Sequence, residues 1–134
     1  MPTVNSSYKN ELRTEAVHLQ SGNRIITDAP VDNQGKGEAF SPTDLVSSAL
    51  SSCMMTIMGI YARDEGIDLN GLSAEVNKIM QEEPRKIAEV QIAFTWPNPV
   101  ATPEQMETLK DKAIHCPVAL SLDPAIKQTV SFNF

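Results

Sequence analysis

LVSSALSSCMMTIMGIYA, residues 45–62, is the stretch that decides this fold. It carries no charge and follows Ser41-Pro42-Thr43-Asp44, in which a capping Ser, a Pro at the first helical position and an acid three residues after the cap spell a helix start. The predicted helix runs to about Asp64-Glu65 and stops at Gly66. At the i, i+4 spacing Leu45, Ala49, Cys53, Ile57 and Tyr61 form one stripe, and Val46, Leu50, Met54 and Met58 form a second beside it. Ser47, Ser48, Ser51, Ser52 and Thr56 make up the remaining surface. A helix that is apolar or small on every face is normally enclosed on every side. A membrane span needs about twenty predominantly apolar residues, and the hydroxyls inside this run and the charges just outside it argue against one. A single domain of this length struggles to surround such a helix, so the expectation is a homodimer whose two chains wrap a shared core of close-packed helices.

The flanking sequence supplies short strands and one further long helix. Residues 10–30 read as a β-hairpin turning at Ser21-Gly22-Asn23, with Pro30 ending its second strand and neither face cleanly apolar. Residues 31–40, with Gly35 and Gly37, read as a loop. Residues 66–82 and 86–96 read as two strands joined by Glu83-Pro84-Arg85. In the second, Ala88, Val90, Ile92, Phe94 and Trp96 point one way and Ile87, Glu89, Gln91, Ala93 and Thr95 the other, the pattern of a half-buried antiparallel strand. Thr102-Pro103-Glu104-Gln105 is a second capping box, opening a helix through His115 with Met106, Leu109, Ala113 and Ile114 inward. Pro117 perturbs or ends that helix just after Cys116. A short helical turn and a last strand with Val130, Phe132 and Phe134 alternating complete an α+β chain, read as a single domain over residues 1–134.

The composition, 41% apolar and 21% charged, is that of an ordinary globule. A net charge of -6 excludes nucleic acid as partner, because phosphate binding needs clustered Lys and Arg. The opening residues hold no apolar segment of signal-peptide length, so the cytoplasm is the expected compartment. Thiols stay reduced there, and the two cysteines, Cys53 and Cys116, read as free thiols or a transient redox pair rather than a structural disulfide. His18 and His115 read as a strand-face and a helix-end residue, and with no local chelating pair no metal is expected.

Cys53 is either a small hydrophobe packed by Met54 and Ile57 or a reagent shielded from bulk water, and Cys116 is either a helix-end core residue or its partner. Met54, Met55 and Met58 are core or a soft wall for an alkyl chain. Burial disfavours an ionised thiol and a mid-helix position gains little from the dipole, so the redox reading calls for a nearby cation.

Ser41-Pro42, then Cys53 eleven positions after the proline on a long apolar helix, then Cys116-Pro117 closing a distant helix: together these residues resemble the OsmC/Ohr family, the osmotically inducible and organic hydroperoxide resistance proteins. The resemblance covers nearly the whole chain. It implies an OsmC-like fold, with antiparallel sheets wrapped around long central helices in an intertwined homodimer and two active sites at the subunit interface. In the family's peroxidase members, which reduce organic and fatty-acid hydroperoxides, the helix cysteine attacks and the Cys-Pro cysteine resolves, which carries onto Cys53 and Cys116. The organic hydroperoxide reductases place a glutamate directly after the helix-start proline, paired with an arginine of the N-terminal hairpin. Here that position is Thr43, and the acid comes one residue later as Asp44. Arg24 is the first candidate for the arginine and Arg13 the second, while Glu38 in the loop is an alternative source of the carboxylate.

Two functions are therefore expected to compete. One is a thiol-dependent peroxidase in which a Cys53 sulfenate condenses with Cys116 and an external dithiol restores both, with no metal, flavin or haem. The other is a non-catalytic dimeric binder of a small apolar ligand, with Cys53 only lining the cavity.

Overall fold

The computed structural model describes residues 1–134 as two compact units, Met1–Val46 and Ser47–Phe134. In the first, β1 (Val4–Tyr8), β2 (Arg13–His18) and β3 (Arg24–Asp28) form an antiparallel sheet in that order. β2 and β3 are the expected hairpin, closed by His18 N–H on the Asn23 carbonyl at 2.8 Å and Gly22 N–H on the His18 carbonyl at 2.7 Å. β1 was not expected, because Val4-Asn5-Ser6-Ser7-Tyr8 offers little apolar alternation and is exposed throughout. The expected strand start at residue 10 is also corrected, since Asn10, Glu11 and Leu12 form the β1–β2 turn with φ of 70°, 53° and 62°. Non-glycine residues resist that left-handed region. They are held in it by Lys9 N–H on the Arg13 carbonyl at 2.8 Å and Leu12 N–H on Tyr8 Oη at 3.2 Å.

After β3 the chain forms a 3-10 turn, Val31–Asn33, and folds back on itself. Ala29 N–H reaches the Leu12 carbonyl at 3.1 Å, Gly37 N–H the Ala29 carbonyl at 3.2 Å, and Asp28 N–H the Phe40 carbonyl at 3.1 Å. Only glycine fits at residue 35, where a Cβ would lie 1.8 Å from the Ala29 oxygen.

Helix α1 (Pro42–Asp64) starts at the expected capping box: Asp44 N–H donates to Ser41 Oγ at 3.0 Å, and Ser41 N–H donates to Asp44 Oδ2 at 3.0 Å. Gly66, at φ +67°, ends it. Leu50, Met54 and Met58, each 0% exposed, and Ala62 form its buried stripe. Cys53, Ile57 and Tyr61 on the neighbouring stripe are half-buried, while Val46 and Ile60 are exposed. Within one chain α1 is thus covered along one face rather than all round. By length and composition alone it could cross a membrane, but its buried stripe belongs to the core of the second unit.

That unit's sheet has the order β4 (Ser73–Gln81), β5 (Lys86–Thr95), β6 (Lys127–Asn133). β4 is shorter than residues 66–82, because residues 66–72 are turns and Gly71 takes φ +90°. β4 and β5 pair antiparallel, while β5 and β6 pair parallel. A parallel pair needs a crossover, and α2 (Pro103–Ile114) and α3 (Pro117–Ser121) supply it. Val90, Ile92, Phe94 and Trp96 are buried as the alternation predicts. A bulge at Ile79/Met80, where the partner jumps from Glu89 to Ile87, inverts the phase beyond it, so Ile87 is buried and Ala88 only half-buried. On α2 the Thr102/Gln105 capping box is present, and Leu109 and Ala113 pack inward, but Ile114 is 45% exposed and not a core residue. Phe94 stacks on Phe132 at 5.4 Å and Trp96 meets Phe134 edge-on at 5.4 Å. Each large side chain in this core contributes about 1.5–3 kcal/mol by leaving water.

Candidate active site

Pro117 determines how Cys116 is presented. A residue before proline is driven out of the helical region, and Cys116 accordingly sits at φ -68°, ψ 156°, outside α2 and at the N-cap of α3, with Pro117 at the first helical position. α2 has already ended at Ile114, with His115 as its C-cap. The Cys116 side chain turns inward, is 0% exposed, and accepts Ala119 N–H at 3.4 Å. Cys53 packs against the core that contains Cys116, and its sulfur is near enough to act on the Cys116 thiol. Two free thiols, one half-buried on α1 and one sealed at the start of α3, are therefore neighbours within one chain.

Burial pushes the Cys116 thiol above its ordinary value of 9.0, and the neighbouring Cys53 sulfur adds to that against the opposing Ala119 N–H. Two adjacent sulfurs cannot both ionise cheaply in a dry site.

The first unit holds a separate polar cluster. Arg13 donates from Nε to Asp28 Oδ1 at 2.7 Å and from Nη2 to Asp28 Oδ2 at 2.8 Å, a bidentate pair, and from Nη2 to Glu38 Oε1 at 3.1 Å. Asp28, whose side chain is 0% exposed, also accepts Glu38 N–H at 3.1 Å. The Arg13 guanidinium holds the Asp28 carboxyl below its ordinary value of 3.8, and Asp28 in turn raises Arg13. Lys36 pairs with Glu11 at 2.6 Å on the same turn and loop.

Arg24, the first candidate for the cation, pairs with Glu15 at 2.8 Å and leaves its side chain 63% exposed. Arg13, the second candidate, is the arginine held in fixed orientation by two carboxylates. Asp44 serves the helix cap, and Thr43 Oγ1 lies 3.2 Å from Ser41 Oγ. Glu38 joins the Arg13 cluster. His18 Nδ1 meets Ser21 Oγ at 2.6 Å and His115 Nδ1 meets the Asp111 carbonyl at 2.8 Å, both exposed. No three His, Cys, Asp or Glu side chains are grouped so as to hold a metal ion. Asp28 was missed by sequence reasoning; the signal was the hairpin register, which sets Arg13 opposite Asp28.

A comparison with curated proteins returned no match. Among solved structures, a candidate osmotic stress induced and detoxification response protein from Psychrobacter arcticus 273-4 is 52% identical, with a TM-score of 0.95 over 99% of this chain and 96% of that one. More distant likenesses show the fold alone. An organic hydroperoxide resistance protein OsmC from Legionella pneumophila, described as a predicted redox protein, is 17% identical with a TM-score of 0.73 over 100% of this chain and 98% of that one. A candidate organic hydroperoxide resistance protein from Vibrio cholerae, with captopril in one of its active sites, is 18% identical with a TM-score of 0.71 over 99% and 92%. The family model for the OsmC-like proteins matches residues 35–131, which span α1, both cysteines and nearly all of the second sheet. With that match and the Psychrobacter likeness, the chain belongs to the OsmC-like protein family.

Proposed function

We propose that this protein is a thiol-dependent peroxidase that reduces organic hydroperoxides through a Cys53 sulfenate and a Cys53–Cys116 disulfide. The observation that carries the reading is the nearness of its two free thiols, one half-buried and one sealed, in a single core. The hydroperoxide-resistance descriptions of the Legionella and Vibrio proteins point the same way.

The Cys53 thiolate attacks the terminal peroxide oxygen, the O–O bond breaks, and the alkoxide leaves as the alcohol after taking a proton. Cys53 is then a sulfenic acid. The Cys116 sulfur displaces its hydroxyl as water and the disulfide forms. A resolving thiol close to the sulfenic acid favours this condensation over further oxidation. An external dithiol restores both thiols, and no step requires a metal, flavin or haem.

The reading calls for a cation that favours the thiolate, with Arg24 and Arg13 as its candidates; of the two, Arg13 has its guanidinium fixed, by Asp28 and Glu38. The working form is a homodimer. The uncovered face of α1, with Val46 and Ile60, and the exposed Ile25 and Ile26 of β3 are apolar surfaces that a second copy would bury. We place the protein in the reducing cytoplasm, apart from membranes and nucleic acid.

One equivalent of cumene hydroperoxide added to reduced protein, followed by thiol titration, tests the reading. Loss of both thiols per chain within seconds, abolished in Cys53→Ser, supports it. No loss over many minutes favours a non-catalytic binder of a small apolar ligand.

A further inference from the structure

We infer that the reduced Cys53–Cys116 pair is a binding site for a divalent, thiophilic metal ion of mercuric type, held by two thiolates in linear two-coordination. The inference needs the two thiols side by side, not their turnover with a hydroperoxide. It takes nothing from the exposure of either sulfur, so it holds equally for one chain and for the proposed homodimer.

Three properties of the core around the sulfurs select the ion. The first is the number of donors. Cys53 and Cys116 share one core, and no third His, Cys, Asp or Glu joins them. Structural zinc takes four ligands, and magnesium and calcium ions take six or more oxygens. A pair of sulfurs alone suits an ion that is stable with two. The second property is softness. The buried residues of Ser47–Phe134 include the thioethers Met54 and Met58 and no carboxylate, and soft sulfur donors select soft ions.

The third property is charge. The buried polar side chains of that unit, Ser47 and Ser51, are both neutral. A thiolate is costly in such surroundings, and two adjacent ones more so. Two thiolates and one divalent ion sum to zero, so this complex buries no net charge. A monovalent soft ion on the same pair would leave a negative charge, with no buried cation in the unit to answer it.

The balance of the step is simple. Two S–H bonds break, two S–Hg bonds form, no electron changes hands, and both protons go to solvent. The Ala119 N–H, 3.4 Å from the Cys116 sulfur, remains a donor to the metal-bound thiolate. Its position is fixed, because Leu120 N–H donates to the Cys116 carbonyl at 3.0 Å and Gln128 Nε2 on β6 donates to the Ala119 carbonyl at 3.0 Å. With the ion in place neither sulfur is free to attack a peroxide or to close a disulfide.

The test titrates reduced, full-length protein with mercuric chloride. The expected result is one ion per chain, two protons released per ion, and an X-ray absorption spectrum with two sulfur neighbours and no third ligand. Glutathione in about hundredfold excess strips an ion from a single thiol but not from a pair whose second donor is held at high effective concentration. The parent should therefore keep its ion, and Cys53→Ser and Cys116→Ala should lose it. Trypsin, cutting after Lys36, Arg63, Lys112 and Lys127, places Cys53 on peptide 37–63 and Cys116 on peptide 113–127. N-ethylmaleimide in denaturant should label both peptides without mercury and neither with it. Half an ion per chain, one proton per ion, a third ligand in the spectrum, or a variant that holds the ion against glutathione as well as the parent does overturns the inference. Stoichiometry, proton count and spectrum are read on the parent, so the test does not depend on either variant folding. A protein that binds one ion in this way yet keeps its thiols under cumene hydroperoxide loses the peroxidase reading and keeps the inference. One that loses both thiols to hydroperoxide but surrenders the ion to glutathione does the reverse.

Discussion

Ser47–Phe134 buries fourteen apolar side chains, whereas every buried residue of Met1–Val46 is polar: Thr27, Asp28 and Ser41. The second unit is held by the hydrophobic effect, with Leu50, Met54 and Met58 of α1 in one core with Val90, Ile92 and Phe94 of β5. The first is held by strand ladders, by the bidentate Arg13–Asp28 pair and by backbone bonds that stitch residues 29–40 to the hairpin. Its three strands leave Val4, Ile25 and Ile26 exposed, and the β1–β2 turn leaves Leu12 so. A small sheet without a buried apolar face has little stability of its own. The thiol pair thus sits in the unit with the apolar core, and the arginine cluster in the unit held by polar and backbone bonds.

The largest effect expected is oxidation itself. A crosslink from Cys53 to Cys116 closes a long loop and stabilises the protein by about 4 kcal/mol on chain entropy. Denaturant melts of the oxidised and reduced forms measure it, and hydrogen exchange should locate the added protection in α1 and α2 rather than in β1–β3.

Next comes Leu50→Ala, which empties a fully buried site and should cost about 2–5 kcal/mol in the same melts. Ile25→Ala, at an exposed site of the first unit, should cost less than about 0.5 kcal/mol in dilute protein. In the proposed homodimer its larger effect should appear as a weaker association constant by sedimentation. Equal costs for both variants in dilute protein would remove the contrast between the units.

Asp28→Asn should act on the acid side. Its folded carboxyl lies below 3.8, so its contribution is present above that pH and is lost as pH falls through the lower folded value. The variant should lack this acid-limb dependence, and amides of residues 29–40 should exchange faster than in the parent.

Cys116→Ala should give the smallest change, on the alkaline side. The folded thiol lies above 9.0, so its contribution is complete below that pH and is lost as pH rises through the folded value. Reduced parent protein should weaken above about pH 9, and the variant should show a flatter profile.

What the sequence revealed follows from locality. Both capping boxes, the Gly66 stop and the β5 alternation are written in neighbouring residues, and they stand as read. β1 has no such signature, because its strand character comes only from pairing with β2. The bulge that buries Ile87 in place of Ala88 depends on the partner strand, and the parallel pairing of β6 depends on where the crossover returns the chain. Periodicity placed Ile114 inward, but Leu109 and Ala113 define the buried face of α2, and successive helical residues turn by about 100°, which carries Ile114 off it. At the site, spacing left Cys53 and Cys116 as candidates, and only the family resemblance paired them before the fold brought them together. The Arg13–Asp28 pair could have been found by counting outward from the Ser21-Gly22-Asn23 turn. Arg24, at the end of that turn, pairs with Glu15 and faces solvent.

Peptide mapping after one equivalent of cumene hydroperoxide, without reductant and under non-reducing digestion, tests the pairing of the two sulfurs most directly. The account predicts peptide 37–63 joined to peptide 113–127 of the same chain, with the intact subunit running as a monomer on a denaturing non-reducing gel. Cys53 carried onward to sulfinic acid while Cys116 remains a free thiol would contradict it.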